Sequence, residues 1–295
     1  MKSLTSPKVI KEILERHNFR FSKSLGQNFL IDRNIVEKIM EGAQVGEGDR
    51  ILEIGPGIGT LTQELVSRGA KVVAVEIDKN LLPILEETLG TPSNLSIVHG
   101  DILKIDIEEL VNKFFEGKDF KVVANLPYYI TTPIIMRFLE EQLPFSTLTV
   151  MIQKEVAQRM AALPGQKEYG SLSVAIQYYT RPRIVCKVPS SVFMPRPKVD
   201  SIVIALDRLD EPPVEVYDRN LFFKVVKAAF AKRRKTILNN LTSGELEELS
   251  RDKILEVLEI SGIDPQRRGE TLNIQEFATI ANNMTDIYSQ LKTRE

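Results

Sequence analysis

Cysteine occurs once in the 295 residues, as Cys186, and tryptophan not at all. One thiol can form no internal disulfide, and beside only two histidines it falls short of the usual zinc ligand sets. The chain is therefore expected to work in a reducing compartment, the cytoplasm, and to hold no metal. An excess of charge of either sign is also missing. The 39 Lys and Arg residues face 40 Asp and Glu, a formal net charge of -1, so a nucleic-acid partner has to be argued from where basic residues lie and not from their number. No apolar run is long enough to span a bilayer, and Met1-Lys2-Ser3-Leu4-Thr5-Ser6-Pro7-Lys8 lacks the apolar core of a secretion signal. There is no internal repeat and no low-complexity tract. What is present is 43% hydrophobic residues, enough at this length for a full core and about two domains.

From Arg50 the pattern alternates between strand and helix. Ile51–Ile54, Lys71–Val75, Leu95–Val98, Lys121–Ala124 and Leu148–Ile152 read as buried strands, because each is a short apolar run rich in β-branched residues. Between and after them Leu61–Ser67, Leu81–Leu89, Ile107–Phe115, Ile134–Leu139, Val156–Ala162 and Leu172–Tyr178 carry apolar residues at helical spacing, and Arg183–Val188 and Ser201–Leu206 close the set of strands. Such alternation predicts a mostly parallel sheet with helices on both faces. Ahead of it, Asp32 is a helix cap for a segment running through Ile35, Val36, Ile39 and Met40. The amino-terminal arm, Val9–Arg16 followed by Arg16-His17-Asn18-Phe19-Arg20-Phe21-Ser22-Lys23, is either a phosphate contact or a solvated amphipathic helix with a linker.

Asp210-Glu211-Pro212-Pro213-Val214-Glu215 marks a boundary by its prolines and acids. It divides the chain into an expected catalytic domain, residues 1–209, and a small all-helical domain, residues 210–295. In the latter Leu221–Ala231, Thr236–Leu241, Glu245–Leu249, Lys253–Ser261 and Ile274–Ile280 read as helices, with Gly262 a helix stop.

Four successive strands of the first domain end in residues that can grip a ligand. In open α/β sheets the carboxyl ends of the strands are where ligands bind. Glu53-Ile54-Gly55-Pro56-Gly57-Ile58-Gly59-Thr60 joins the first strand to a helix, and its G-x-G-x-G spacing departs from the G-x-G-x-x-G of dinucleotide sites. A carboxylate tail on the free N–H groups of the helix, or a nucleoside across the glycines, would suit it. Glu76 ends the second strand, where a carboxylate can accept both ribose hydroxyls. Asp101 follows the third and is placed to accept from an adenine amine. Asn125-Leu126-Pro127-Tyr128 ends the fourth, offering an amide, a backbone carbonyl held extended by proline, and a ring that can stack on a planar base. Together these describe a site for S-adenosylmethionine beside a site for an exocyclic amine. Hydrogen bonds from both amine N–H groups to the Asn125 side-chain oxygen and the Leu126 carbonyl would aim the nitrogen lone pair at the sulfonium methyl. Tyr128 would stack on the base and Phe193 would close its other face.

Gln27-Asn28-Phe29-Leu30, Glu53–Thr60, Glu76, Gly100-Asp101, Asn125–Tyr128, Gln153–Arg159, Tyr169-Gly170-Ser171 and Phe193–Ser201 resemble the motifs of the ribosomal RNA adenine dimethyltransferases. Phe230-Ala231-Lys232-Arg233-Arg234-Lys235-Thr236 is similar to the small-subunit, kasugamycin-resistance branch of that family, and the likeness spans nearly the whole chain. The resemblance implies a class I methyltransferase (Rossmann-like) fold and dimethylation of N6 on each of two adjacent adenosines near the 3′ end of 16S ribosomal RNA. It also implies cofactor contacts at Asn28, Leu30, Gly55, Glu76, Asp101 and Asn125. The small ribosomal subunit is then the partner, no membrane is involved, and a monomer is expected. Basic clusters at Lys2–Lys23, Arg181 and Arg183, Arg196 and Lys198, Lys232–Lys235 and Arg267-Arg268 spread over both domains and suit a broad phosphate-binding surface, with Arg233, Arg234 and Lys235 as its expected centre.

Three other readings compete. A non-catalytic small-subunit assembly factor is disfavoured by the intact Asn125–Tyr128 motif. In the erythromycin-resistance enzymes, which act on large-subunit RNA, isoleucine usually stands at the position of Leu126. DNA adenine methyltransferases usually carry Asp-Pro-Pro-Tyr or Asn-Pro-Pro-Tyr, which Leu126 also breaks.

Overall fold

The computed structural model describes residues 4–22, 25–243, 246 and 249–292. It divides into two compact units, one of residues 1–157 and 182–208, the other of residues 158–181 and 209–295.

The first unit is built on strands β2 (Arg50–Ile54), β3 (Lys71–Glu76), β4 (Leu95–His99), β5 (Phe120–Asn125), β6 (Phe145–Gln153), β7 (Thr180–Val188) and β9 (Ser201–Arg208), in the order β4-β3-β2-β5-β6-β9-β7. The pairings from β4 through β6 are parallel, and β9 runs antiparallel to β6. Near-continuous apolar runs such as Val72–Val75 and Val122–Ala124 are what a parallel sheet covered on both faces requires. Helices α2 (Arg33–Gly42) and α3 (Thr60–Ser67) lay Ile35, Val36, Ile39, Leu61 and Leu65 on Ile51, Val72, Val123 and Met151. Helices α4 (Leu82–Leu89), α5 (Ile107–Phe115) and α6 (Thr131–Glu140) link β3 through β6 in turn, and α7 (Lys154–Ala161) follows β6. Asp32 caps α2 through the Ile35 N–H at 3.0 Å, as its position ahead of the apolar repeat suggests. The connection leaving β2 leads to β3 on one side, while β5 lies on the other. The order reverses there, which opens a crevice at the carboxyl ends of these three strands.

Two short strands were not anticipated. β1 (Phe29–Leu30) and β8 (Phe193–Met194) pair antiparallel, Leu30 opposite Phe193, in a separate two-stranded sheet. Two residues are too few to show alternation, and their partner lies more than 160 positions away in sequence. Helix α1 (Pro7–Arg16) buries Ile10, Ile13 and Leu14 with Phe29, Ile58, Leu81 and Ile84. The arm is therefore an amphipathic helix with its apolar face packed and Lys8, Lys11 and Arg16 exposed; of its expected basic cluster, Lys2 and Lys23 lie outside the described residues.

The second unit holds α8 (Ser171–Tyr179), α9 (Arg219–Ala229), α10 (Ile237–Thr242), α11 (Arg251–Ile260) and α12 (Ile274–Lys292). The boundary expected at residue 210 falls next to Leu209, but Gln158–Arg181, expected in the first domain, belongs here. The reason is apolar packing. Tyr169, Val174 and Tyr178 share one buried cluster with Phe222, Val225, Leu258 and Phe277, and the Tyr178 and Phe222 rings stand 5.2 Å apart. Helix α12 runs twelve residues past the expected Ile280, because Ala281, Met284 and Ile287 continue its buried face. The helix expected over Glu245–Leu249 lies largely outside the described residues.

Candidate active site

The loop after β2 needs glycine for two different reasons. Gly57 has φ +63°, and a Cβ there would stand 3.1 Å from the Phe29 ring, so backbone and ring approach as only glycine allows. Gly55, at φ +67°, has no atom within 4 Å of where a Cβ would lie, although it lines the cleft at the strand ends. Open space over a glycine backbone is a cradle for a ligand.

Glu76, the last residue of β3, is 4% exposed. Its Oε1 accepts from the Asp78 N–H at 2.8 Å and its Oε2 from the Gly57 N–H at 3.2 Å, so the carboxylate ties the glycine loop to the turn beyond β3. Burial pushes its pKa up, and those backbone N–H groups pull the other way. Asp78 in turn accepts from Gln27 Nε2 at 2.7 Å, and Gln27 Oε1 accepts from the Ser22 N–H at 2.9 Å. That chain of bonds fastens the Gln27-Asn28 segment to the turn that Glu76 holds. Beneath the loop, Glu53 is 1% exposed, and burial raises its pKa to about 8.

Asn125 closes β5. Its Nδ2 donates to the Asn28 backbone carbonyl at 2.8 Å, which turns the side-chain oxygen the other way and leaves it as an acceptor. Leu126 follows with its N–H on the Met151 carbonyl of β6 at 3.2 Å, anchoring the turn to the sheet. The Pro127 carbonyl accepts from Thr131 Oγ1 at 3.0 Å, at the start of α6. The Tyr128 hydroxyl meets Ser201 Oγ at 2.7 Å; Ser201 is fully buried at the start of β9, so the ring is fixed at both ends. Burial raises the Tyr128 pKa, which keeps the phenol neutral. Asn28, Gly55, Glu76, Asn125, Leu126 and Tyr128 line one cleft. An amide acceptor, an anchored ring, a buried acid and a bare glycine turn around one cleft suit a planar amine brought to a second ligand.

A family model described as ribosomal RNA adenine dimethylase matches residues 18–286. The chain belongs to the ribosomal RNA adenine dimethylase family. It is 57% identical over 284 residues to ribosomal RNA small subunit methyltransferase A of Alkaliphilus oremlandii, covering 96% of this chain and 99% of that one. To the protein of the same name from Clostridioides difficile it is 54% identical, covering 96% and 97%. Among solved structures, a dimethyladenosine transferase from Plasmodium falciparum shares the fold at TM-score 0.74 and 24% identity, covering 89% of this chain and 98% of that one. The 23S rRNA methyltransferase ErmE is 27% identical at TM-score 0.66, covering 87% and 99%. The adenine dimethylase is thus an enzyme with the class I methyltransferase fold, a fold that binds S-adenosylmethionine, and the cleft fits such a ligand: the space over Gly55 and the buried Glu76 carboxylate face it, and Ile77, 44% exposed, adds an apolar wall.

Three further expected site residues of the dimethylase have contacts of their own. Leu30 and Phe193 are 2% and 3% exposed and pack in the core beside Val188 and Val203. Phe193 therefore does not present an open ring to a base, because its place on β8 turns it inward. Asp101 accepts from the Leu103 N–H at 3.0 Å and pairs with Lys104 at 3.6 Å, closing its own turn. In the helical unit, Arg233, Arg234 and Lys235 are exposed on the loop after α9. Arg233 reaches the Lys167 carbonyl at 3.0 Å, and the buried Asn240 donates to the Ala229 and Lys232 carbonyls at 2.7 and 3.1 Å, which fixes the loop's start. Among the described residues no helix is long and apolar enough to cross a membrane, and no cluster of three or more His, Cys, Asp or Glu could hold a metal. The roles of Ser201, Gln27 and Asp78 were missed. Their partners lie 73 and 51 positions off in sequence, and no local pattern signals such bonds.

Proposed function

We propose that this adenine dimethylase uses S-adenosylmethionine to place two methyl groups on N6 of each of two adjacent adenosines near the 3′ end of 16S ribosomal RNA, acting as a cytoplasmic monomer on small ribosomal subunits. The bond from Asn125 Nδ2 to the Asn28 carbonyl carries the reading, because it dedicates the Asn125 oxygen to a donor entering the cleft. The names of the relatives, ribosomal RNA small subunit methyltransferase A, support the small subunit as substrate.

When bound, S-adenosylmethionine supplies an electrophilic methyl on a sulfonium that departs as a neutral thioether. The residues that would hold it are Asn28, Gly55, Glu76 and Asn125, with Glu76 as the ribose acceptor. The chain's own work is on the amine. An adenine N6 lone pair is delocalised into the ring and is a poor nucleophile. The Asn125 oxygen and the Leu126 carbonyl each accept one N–H, which favours a pyramidal nitrogen with its lone pair aimed across the cleft. Tyr128, held by Ser201, stacks on the base and sets its plane. The ammonium formed loses its proton to water, since burial keeps the Tyr128 phenol from serving as a base. In the helical unit Arg233, Arg234 and Lys235 hold RNA phosphates.

The test is transfer of labelled methyl to small subunits purified from cells lacking this protein, with modified positions mapped by reverse-transcriptase stops. Stops at two adjacent adenosines near the 3′ end support the reading. Binding without transfer points to an assembly factor, and label in large-subunit RNA to the resistance enzymes; either result contradicts it.

A further inference from the structure

A substrate with two adjacent adenosines poses a problem that the Asn125–Tyr128 grip does not solve. While one base is drawn into the cleft, its neighbour has been unstacked and must rest somewhere. Flipped or splayed bases are commonly received on aromatic rings, since every base offers a π face.

Tyr129 is the next residue after Tyr128, yet the two rings have opposite fates. Tyr128 lines the cleft and is tethered inward through Ser201. Tyr129 is 56% exposed, among the most exposed large apolar or aromatic side chains of the described residues. It is not loose on that account. Its Cδ1 and Cε1 lie 3.4 and 3.5 Å from where a Gly26 Cβ would stand, and Pro127 Cβ lies 3.7 Å from the same point. Gly26, at φ +59°, carries no side chain there, and both Gly26 and Pro127 line the cleft. The ring is thus seated by one edge on the cleft rim, while more than half of the residue's surface stays open to solvent. What sets this exposed ring apart is its place, at the rim of the cleft with a π face open to a base. Consecutive Cα atoms are about 3.8 Å apart, so the backbone sets the two tyrosines side by side while one ring enters the cleft and the other lies against Gly26 at its rim.

We propose that Tyr129 is a stacking platform for the base next to the one being methylated, so that the chain holds two adjacent purines at once, one on Tyr128 and one on Tyr129. The proposal rests on the reading of the site as an adenine dimethylase acting on adjacent adenosines, and it adds a specificity-determining position outside the reacting pair. A pyrimidine neighbour stacks less well on the ring. The platform therefore favours purine-purine steps, and it gives the second adenosine a defined place before and after its own turn in the cleft.

The experiment uses the full chain and a short single-stranded RNA with two adjacent adenosines, one replaced by 2-aminopurine, whose fluorescence falls when it stacks on an aromatic ring. Wild type and Tyr129→Phe should quench it. Tyr129→Ala should not, and should bind the RNA roughly 5- to 100-fold more weakly, the range for loss of one base-aromatic stack. Cofactor affinity by calorimetry should stay within about twofold in both variants, which also shows that they fold, because an exposed rim residue contributes little to stability. On undermethylated small subunits, Tyr129→Ala should lower methylation at both adenosines and Tyr129→Phe should restore it. A Tyr129→Ala chain that quenches and binds like wild type overturns the platform. So does a wild-type chain that methylates small subunits yet leaves the fluorescence unchanged, and that result leaves the function standing. A wild-type chain that transfers no methyl at all overturns the functional reading and the platform with it.

Discussion

The side-chain amide of Asn125 and the backbone carbonyl of Asn28 are 97 residues apart in sequence and 2.8 Å apart in space. Because an amide nitrogen can only donate and a carbonyl only accept, this bond settles which way Asn125 faces. It ties the Gln27-Asn28 segment to Asn125 in the lining of the cleft, through an atom that no side-chain substitution at position 28 removes.

On the proposed mechanism the Tyr128–Ser201 bond sets the plane of the base. Tyr128→Phe keeps the ring and loses the tether, at a cost of about 1 kcal/mol for one neutral hydrogen bond, so turnover should fall about fivefold with little change in cofactor affinity. Ser201→Ala should do the same, and the double variant should be no worse than either single one. Steady-state kinetics on the three variants check this; additive losses contradict a shared role.

Glu76 and Gly55 line the cleft and are the proposed cofactor contacts. Glu76→Gln keeps the side-chain volume but replaces one acceptor oxygen with a donor, and it should weaken S-adenosylmethionine binding by about tenfold. Gly55→Ala places a methyl in the open space over the turn and adds the strain of a positive φ, so it should weaken the cofactor as well. Calorimetry reads both. Unchanged affinity in Glu76→Gln removes the ribose contact from the account.

Glu53 gives the fold a pH dependence. Its pKa is raised from 4.5 to about 8 by burial, so between these values the folded chain holds a proton that the unfolded chain has released. Stability from this residue is therefore fully present below about pH 4.5 and is lost as pH rises through about 8. Glu53→Gln mimics the neutral acid, and its melting temperature should fall less than that of wild type between pH 6 and pH 9, as followed by thermal melts. Parallel curves for the two chains would show that Glu53 is ionised throughout.

The basic loop after α9 should act through phosphate. Replacing Arg233, Arg234 and Lys235 with alanine should weaken RNA binding and lower the slope of log K against log salt, by up to about 0.7 to 0.9 for each phosphate no longer neutralised. Cofactor binding should be untouched. An unchanged slope, measured by filter binding across a salt series, places the RNA surface elsewhere.

Much of the catalytic unit could be read from the sequence, because its information is local. Val72–Val75 and Val122–Ala124 are unbroken β-branched and small apolar runs, and the residues that end them, Glu76 and Asn125, meet at the reversal of strand order as the alternating pattern requires. What escaped was set by distance in sequence. Phe193 carries a ring next to a basic motif and looked like a base contact, but its pairing with Leu30 across β1 and β8 turns it into the core. Asp101 lies two residues past β4, and with one oxygen accepting from the Leu103 N–H its carboxylate keeps further acceptor capacity. Tyr169 and Tyr178 lie before the proline-rich boundary and were assigned to the sheet domain. Their rings pack with Phe230 and Phe222 instead, a choice made by tertiary burial and invisible to a linker signal.

Turnover and cofactor affinity of Asn125→Ala, measured together, decide whether the amide grips the amine; labelled methyl transfer to undermethylated small subunits reads the first and calorimetry the second. Loss of a preorganised hydrogen-bonding group of this kind costs roughly two to three orders of magnitude in rate. Turnover should fall by at least about a hundredfold, with affinity for S-adenosylmethionine within about tenfold of wild type. An Asn125→Ala enzyme that turns over near the wild-type rate would contradict this mechanism, because the amine would then be gripped by something other than the amide that Asn28 holds in place.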